Sequence, residues 1–130
     1  MKQTIAALAL VVRDYDEAIA WYTAVLGLEL LEDTDMGGGK RWVRIAPRGS
    51  TGTVLLLALA KSEEQKVAVG QQGGGRVFLF LHTDDFDGDY AGMKARGVKF
   101  LEEPRSEVYG KVVVFEDLYG NKWDFIEPRG

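Results

Sequence analysis

The sequence predicts an α+β fold, in which two βαβββ modules form a curved mixed sheet around a cavity with the helices outside. Three observations carry this. The order strand, helix, strand, strand, strand can be read twice along the chain, the mark of a repeated supersecondary unit. The helix-entry residues Asp14 and Asp84 are separated by the same interval as the helix-stopping glycines Gly27 and Gly97. The 130 residues, 46% hydrophobic and 28% charged, are a one-domain length with enough apolar side chains for a core. The expected organisation is one domain over 1–130, with a first module at about 4–60, a linker at about 61–75 and a second module at about 76–128.

Ile5 to Val12 is a nearly continuous apolar run, as in a strand covered on both faces. Asp14 is placed to cap a helix. From Tyr15 to Leu26 the residues Ala18, Ile19, Tyr22, Val25 and Leu26 fall on one helical stripe, which Gly27 ends. Leu28, Leu30 and Leu31 open a second strand, and Asp33 to Lys40, with three consecutive glycines, reads as a mobile loop. Strands follow at Arg41–Ala46 and Thr53–Ala60. The polar stretch Lys61–Gly75 reads as a short helix and a linker. The pattern then restarts, with a strand at Val77–Leu81, Asp84 at a helix entry, a helix at Asp87–Arg96 stopped by Gly97, and a strand at Val98–Leu101. The strands Lys111–Glu116 and Lys122–Glu127 close the chain around the turn Asp117-Leu118-Tyr119-Gly120-Asn121, where Gly and Asn accept positive φ.

Composition narrows the function classes. The net charge is −4 and the basic residues are scattered, which argues against a nucleic-acid or membrane-surface partner. With no cysteine there is no disulfide and no thiolate metal site. The N-terminal residues lead straight into a strand pattern rather than a signal peptide, and no apolar run is long enough to span a bilayer, so the expected location is the cytoplasm. Gly37-Gly38-Gly39 lacks the strand-before, helix-after setting of a phosphate loop. Ser50, Ser62 and Ser106 lack a nucleophile-elbow context.

Two motifs resemble a known family. Val11-Val12-Arg13-Asp14-Tyr15-Asp16-Glu17-Ala18-Ile19-Ala20-Trp21-Tyr22, with Val25-Leu26-Gly27-Leu28, looks like the opening of the vicinal oxygen chelate superfamily, which includes glyoxalase I, bleomycin-resistance proteins and extradiol dioxygenases. Phe115-Glu116-Asp117-Leu118-Tyr119-Gly120-Asn121, with Trp123-Asp124-Phe125, is similar to its final hairpin. The resemblance covers almost the whole chain. It implies paired βαβββ modules, a cup-shaped cavity and a homodimer, and it leaves the chemistry open because this fold hosts many activities. Metal-using relatives take a ligand from the first and the last strand of each module. Carried over one by one, those positions fall on Ala7, on or next to Leu56, on Phe78 and on Asp124, and Asp124 is the one with a donor atom. The resemblance therefore implies a protein without the family metal and without another cofactor; the alternative is one divalent ion held by His82, Glu116 and Asp124.

A carboxylate inside an apolar strand is costly unless it is paired, hydrogen-bonded or coordinating, which singles out Asp124. If Asp124 faces inward, Trp123 and Phe125 face the helices. Phe78, Phe80 and His82 share a strand face by alternation; Phe78 and Phe80 either line the same cup, which suits planar or cationic ligands, or fill the space a metal would leave. His82 is read either as a cavity-facing acid, base or ligand or as a solvated strand-end residue. Trp42 and Arg44 share a face of the third strand. Arg41 or Arg44 is a possible ion-pair partner for Asp124 or Glu116 that would satisfy the acid without a ligand. Tyr109 lies before a strand, either at the cavity mouth or at a dimer contact.

The first reading is a small-molecule-binding protein like the bleomycin-resistance branch, sequestering a hydrophobic or aromatic ligand in a homodimer cavity. The second is an enzyme, a glyoxalase-like lyase or a dioxygenase with a rearranged metal site. The third is a non-catalytic protein with a filled cavity.

Overall fold

The computed structural model describes all residues, 1–130. The chain divides into two compact units, Met1–Val69 and Gly70–Gly130. Each is a mixed sheet with helix on one face.

The first unit contains β1 (Ala7–Val12), α1 (Tyr15–Ala20), β2 (Glu29–Gly37), β3 (Lys40–Ala46), β4 (Val54–Leu59) and α2 (Glu63–Ala68). Its sheet has the order β1-β4-β3-β2, with β1 parallel to β4 and the other pairs antiparallel. Leu10, Val12, Val43, Ile45, Leu55 and Leu57 are buried and form the core. The first apolar run differs from its expectation. β1 is an edge strand with exposed Ala7, Leu8 and Ala9 rather than a strand covered on both faces, since only one side of the sheet carries helix.

Asp14 caps α1, its side chain accepting from the Glu17 N–H at 2.8 Å. The helix does not stay α to its end. Trp21–Val25 is a π-helical turn, and Leu28 N–H closes it on the Tyr22 carbonyl at 2.9 Å. The second unit explains why. There the cap is Asp85, which accepts from the Gly88 N–H, and not Asp84 as expected. Cap to terminal glycine is thus one residue longer in the first helix (Asp14 to Gly27) than in the second (Asp85 to Gly97). A π-turn absorbs a single extra residue without breaking the helix. Both glycines take positive φ, 90° and 99°, so each helix stops in the same way.

The stretch expected to be a mobile loop is mostly strand. β2 continues to Gly37, and Gly38 and Gly39 make the hairpin turn at φ 64° and 83°. Its acidic residues are held by β3. Asp33 binds Arg41 at 2.7 Å and Glu32 binds Arg44 at 2.8 Å, so charge pairing across the strands replaces apolar patterning.

The second unit contains β5 (Val77–His82), α3 (Phe86–Ala95), β6 (Lys99–Phe100), β7 (Arg105–Glu107), β8 (Gly110–Glu116) and β9 (Lys122–Pro128). The order is β5-β9-β8-β6, with β7 also paired to β8. β5 runs parallel to β9. β6 and β7 are two short pieces along one side of β8, interrupted at Leu101–Pro104, where Pro104 removes a ladder donor. The Glu102 side chain fills the gap, accepting from the Val114 N–H at 3.0 Å. The helix face carries a run of ring contacts: Phe86 with Tyr90 and Phe125, Tyr90 with Phe100, and Phe115 with Phe100 and Trp123.

The β8–β9 turn is built on Asp117, which is 5% exposed. Its Oδ1 accepts from the backbone N–H groups of Tyr119, Gly120 and Asn121, and its Oδ2 from Asn121 Nδ2 and Trp123 Nε1. Asn121 Oδ1 then accepts the Gln72 N–H, tying the segment that leads into β5 to this turn.

Candidate functional site

The pairing register of the second sheet decides which side chains share a face. Asp124 on β9 stands beside Phe80 on β5 and Val114 on β8; one step along, Ile126 stands beside His82 and Val112. Trp123 and Phe125 point the other way, and Phe125 packs on Phe86 of α3 at 5.3 Å. Asp124 therefore lies on the helix-free face. Phe80 beside it is 63% exposed, an unusual position for a large aromatic residue.

Asp124 is half-buried, and its Oδ1 is sealed from solvent without a hydrogen-bond partner. Burial pushes its carboxyl above the ordinary carboxylate range, Arg105 pulls against that shift and Glu102 adds to it. Arg105 does not neutralise the acid, because its guanidinium is already shared. It binds Glu102 at 3.1 Å and Glu107 at 2.9 Å. Glu102 is in turn fixed by the Val114 N–H, so the charge cluster is held next to Asp124 by the interruption between β6 and β7.

The raised carboxyl has a consequence for stability. The native state holds this proton more tightly than the unfolded chain, so the penalty is absent below the unfolded carboxyl value of about 3.9 and complete above the folded one. Asp124→Asn is expected to raise the melting temperature by about 2 °C at pH 8, a small effect because the group is half-buried. The gain should vanish at pH 3, as checked by thermal melts of both proteins at the two pH values.

The other expected site residues are distributed as follows. His82 is exposed at the end of β5. Phe78 lies where the β5–β9 register is irregular, close under Gly73, so simple alternation does not place it with Phe80. Tyr109 is half-exposed in the β7–β8 turn. Trp42 and Arg44 share a face of β3 in the first unit, where Trp42 is 38% exposed and Arg44 binds Glu32. The expected pairing of Arg41 or Arg44 with Asp124 or Glu116 is corrected. Arg41 binds Asp16 and Asp33, Arg44 binds Glu32, and Glu116 receives Lys99. Each arginine finds its carboxylates within the first unit. Glu102 and Arg105 were missed in the sequence; their spacing beside Pro104 was the available signal.

Of the four positions carried over for a family metal, Asp124 alone has a donor atom in its side chain. Ala7, Leu56 and Phe78 offer no donor, and no three His, Asp or Glu side chains gather as they would around an ion. The alternative set is spread along the sheet. His82 pairs with Ile126 and Glu116 with Lys122, on opposite sides of Asp124 along β9. Four residues of strand separate those rungs, roughly 13 Å. Near the second rung is a polar cleft of about 180 Å³, whose lining includes Gly70, Gly73, Arg76, Glu116, Asn121 and Lys122. No helix is long and apolar enough to cross a membrane.

Comparison with known proteins agrees with this architecture. The chain is 54% identical over 128 residues to an uncharacterized protein of Shewanella frigidimarina (strain NCIMB 400), covering 98% of this chain and 95% of the relative. It superposes on the crystal structure of UcmS2 with a TM-score of 0.84 at 25% identity, covering 98% and 99% of the two chains. It superposes on TnmS3, an antibiotic-binding protein from Streptomyces sp. CB03234, with a TM-score of 0.76 at 26% identity, covering 99% and 98%. The model of the Glyoxalase/Bleomycin resistance protein/Dioxygenase superfamily matches residues 4–125. With nearly the whole chain matched and two βαβββ-type units in place, this protein belongs to the Glyoxalase/Bleomycin resistance protein/Dioxygenase superfamily.

Proposed function

We propose that this chain is a metal-independent small-molecule-binding protein that sequesters a hydrophobic or aromatic ligand on the helix-free face of the second sheet, in a cavity completed in a homodimer. The exposed ring of Phe80 beside the unpartnered Asp124 carries the reading. An exposed aromatic side chain in the middle of a strand gains little from folding, whereas stacking against a planar ligand buries it. The inert side chains at Ala7, Leu56 and Phe78 favour binding over metal chemistry, and the likeness to an antibiotic-binding protein supports the same class.

Phe80→Ala is the direct test. Because Phe80 is 63% exposed, the substitution should change the urea midpoint little. It should weaken binding of a planar aromatic probe such as 1-naphthalenemethanol about tenfold or more, read by calorimetric titration. Equal affinity in the two proteins would contradict the proposal. A lyase or dioxygenase would instead show turnover that depends on added divalent metal and is lost with chelator.

A further inference from the structure

Resting on that reading, we infer that the ligand is cationic: a planar aromatic molecule carrying a protonated nitrogen, with its ring on Phe80 and its N–H group on the Asp124 carboxyl. Two independent features of the helix-free face lead there. The first is the missing donor. Asp124 Oδ1 is sealed without a partner, and the half-buried side chain has no ion-pair partner. A carboxyl rotates about its last bond, so either oxygen can turn to meet an incoming donor.

The second is the charge count around it. Arg105 is the one cation in a cluster with Glu102, Glu107 and Asp124, so one positive charge stands against three carboxylates. The guanidinium is committed to Glu102 and Glu107 at 3.1 and 2.9 Å. The remaining ionisable groups on this face do not supply the missing charge. His82 on β5 is a rung away, beside Ile126; Lys122 on β9 donates to the Gly75 carbonyl at 3.2 Å; and Glu116 on β8 is paired with Lys99. A neutral ligand would leave the excess negative charge uncompensated, and an anionic one would add to it. An aromatic face such as that of Phe80 also attracts cations, so stacking and charge favour the same class.

Three probes with one ring system test this: 1-naphthylmethylammonium, neutral 1-naphthalenemethanol and anionic 1-naphthoate, titrated calorimetrically into the intact protein. The cation should bind about tenfold or more tightly than the alcohol, and the carboxylate should bind more weakly than either. In Asp124→Asn the cation's advantage over the alcohol should disappear. In the unsubstituted protein the advantage should also fade as pH is lowered through the Asp124 value, because the protonated acid no longer attracts a cation; this arm needs no variant. Equal binding of cation and alcohol, both lost in Phe80→Ala, would overturn the charge assignment and leave the aromatic site standing. Absence of binding by all three at millimolar concentration would overturn both.

Discussion

Asp117→Ala is expected to destabilise the protein by about 3–5 kcal/mol, the range for removing one member of a buried charged network. The Asp117 carboxylate receives five N–H donors, three from backbone and two from side chains, and the residue is 5% exposed. Deleting it strands those donors in a site closed to solvent. Domains of this kind have about 5–15 kcal/mol in all, so the variant should lose a large share of its stability. Asp117→Asn separates charge from shape. Its oxygen can still serve the three backbone donors, but its amide would face Asn121 Nδ2 and Trp123 Nε1, donor against donor. It should fall between wild type and alanine. Urea denaturation followed by Trp fluorescence reads both, and an alanine variant within 1 kcal/mol of wild type would refute this account of the turn.

Gly70→Ala should cost about 2–4 kcal/mol, from two additive causes. Gly70 has φ of 77°, a conformation that an L side chain adopts reluctantly. A Cβ there would also overlap the Tyr119 carbonyl, and backbone on both sides gives little room to move. Gly74 is the internal control. It too has positive φ, 62°, but a Cβ on it meets nothing within 4 Å. Gly74→Ala should therefore pay the conformational cost alone, about 1 kcal/mol. A matching loss in the two variants would mean that the Gly70–Tyr119 approach contributes nothing.

Elements bounded by local chemistry were legible: the Asp14 cap, the glycine stops at Gly27 and Gly97, and the final hairpin around Asp117. The family was legible for the same reason, because its motifs are the caps and turns of the two units. Three features were not. The π-turn at Trp21–Val25 follows from one surplus residue, and it shows once Asp85 rather than Asp84 is known to be the second cap. The outer half of β2 is held by Asp33–Arg41 and Glu32–Arg44 pairs across strands, which an apolar pattern does not register. The charge cluster near Asp124 depends on Glu102 filling the gap between β6 and β7, a tertiary event with no periodic signal. Asp124 itself was legible, since an acid in an apolar strand is conspicuous in any register. Its neighbours were partly so: alternation paired Phe80 with it correctly in kind, while the irregularity between Val77 and Leu79 put Phe78 outside that rule.

The helix-free face of the second sheet as the ligand site is the claim on which the functional account stands. Amide chemical-shift mapping of ¹⁵N-labelled protein during titration with 1-naphthylmethylammonium tests it most directly. The account predicts that the largest shifts fall on Phe80, Val114, Asp124 and Ile126 and on the Glu102–Arg105 segment. Shifts concentrated instead on α3 and its ring contacts, with those residues unmoved, would contradict it.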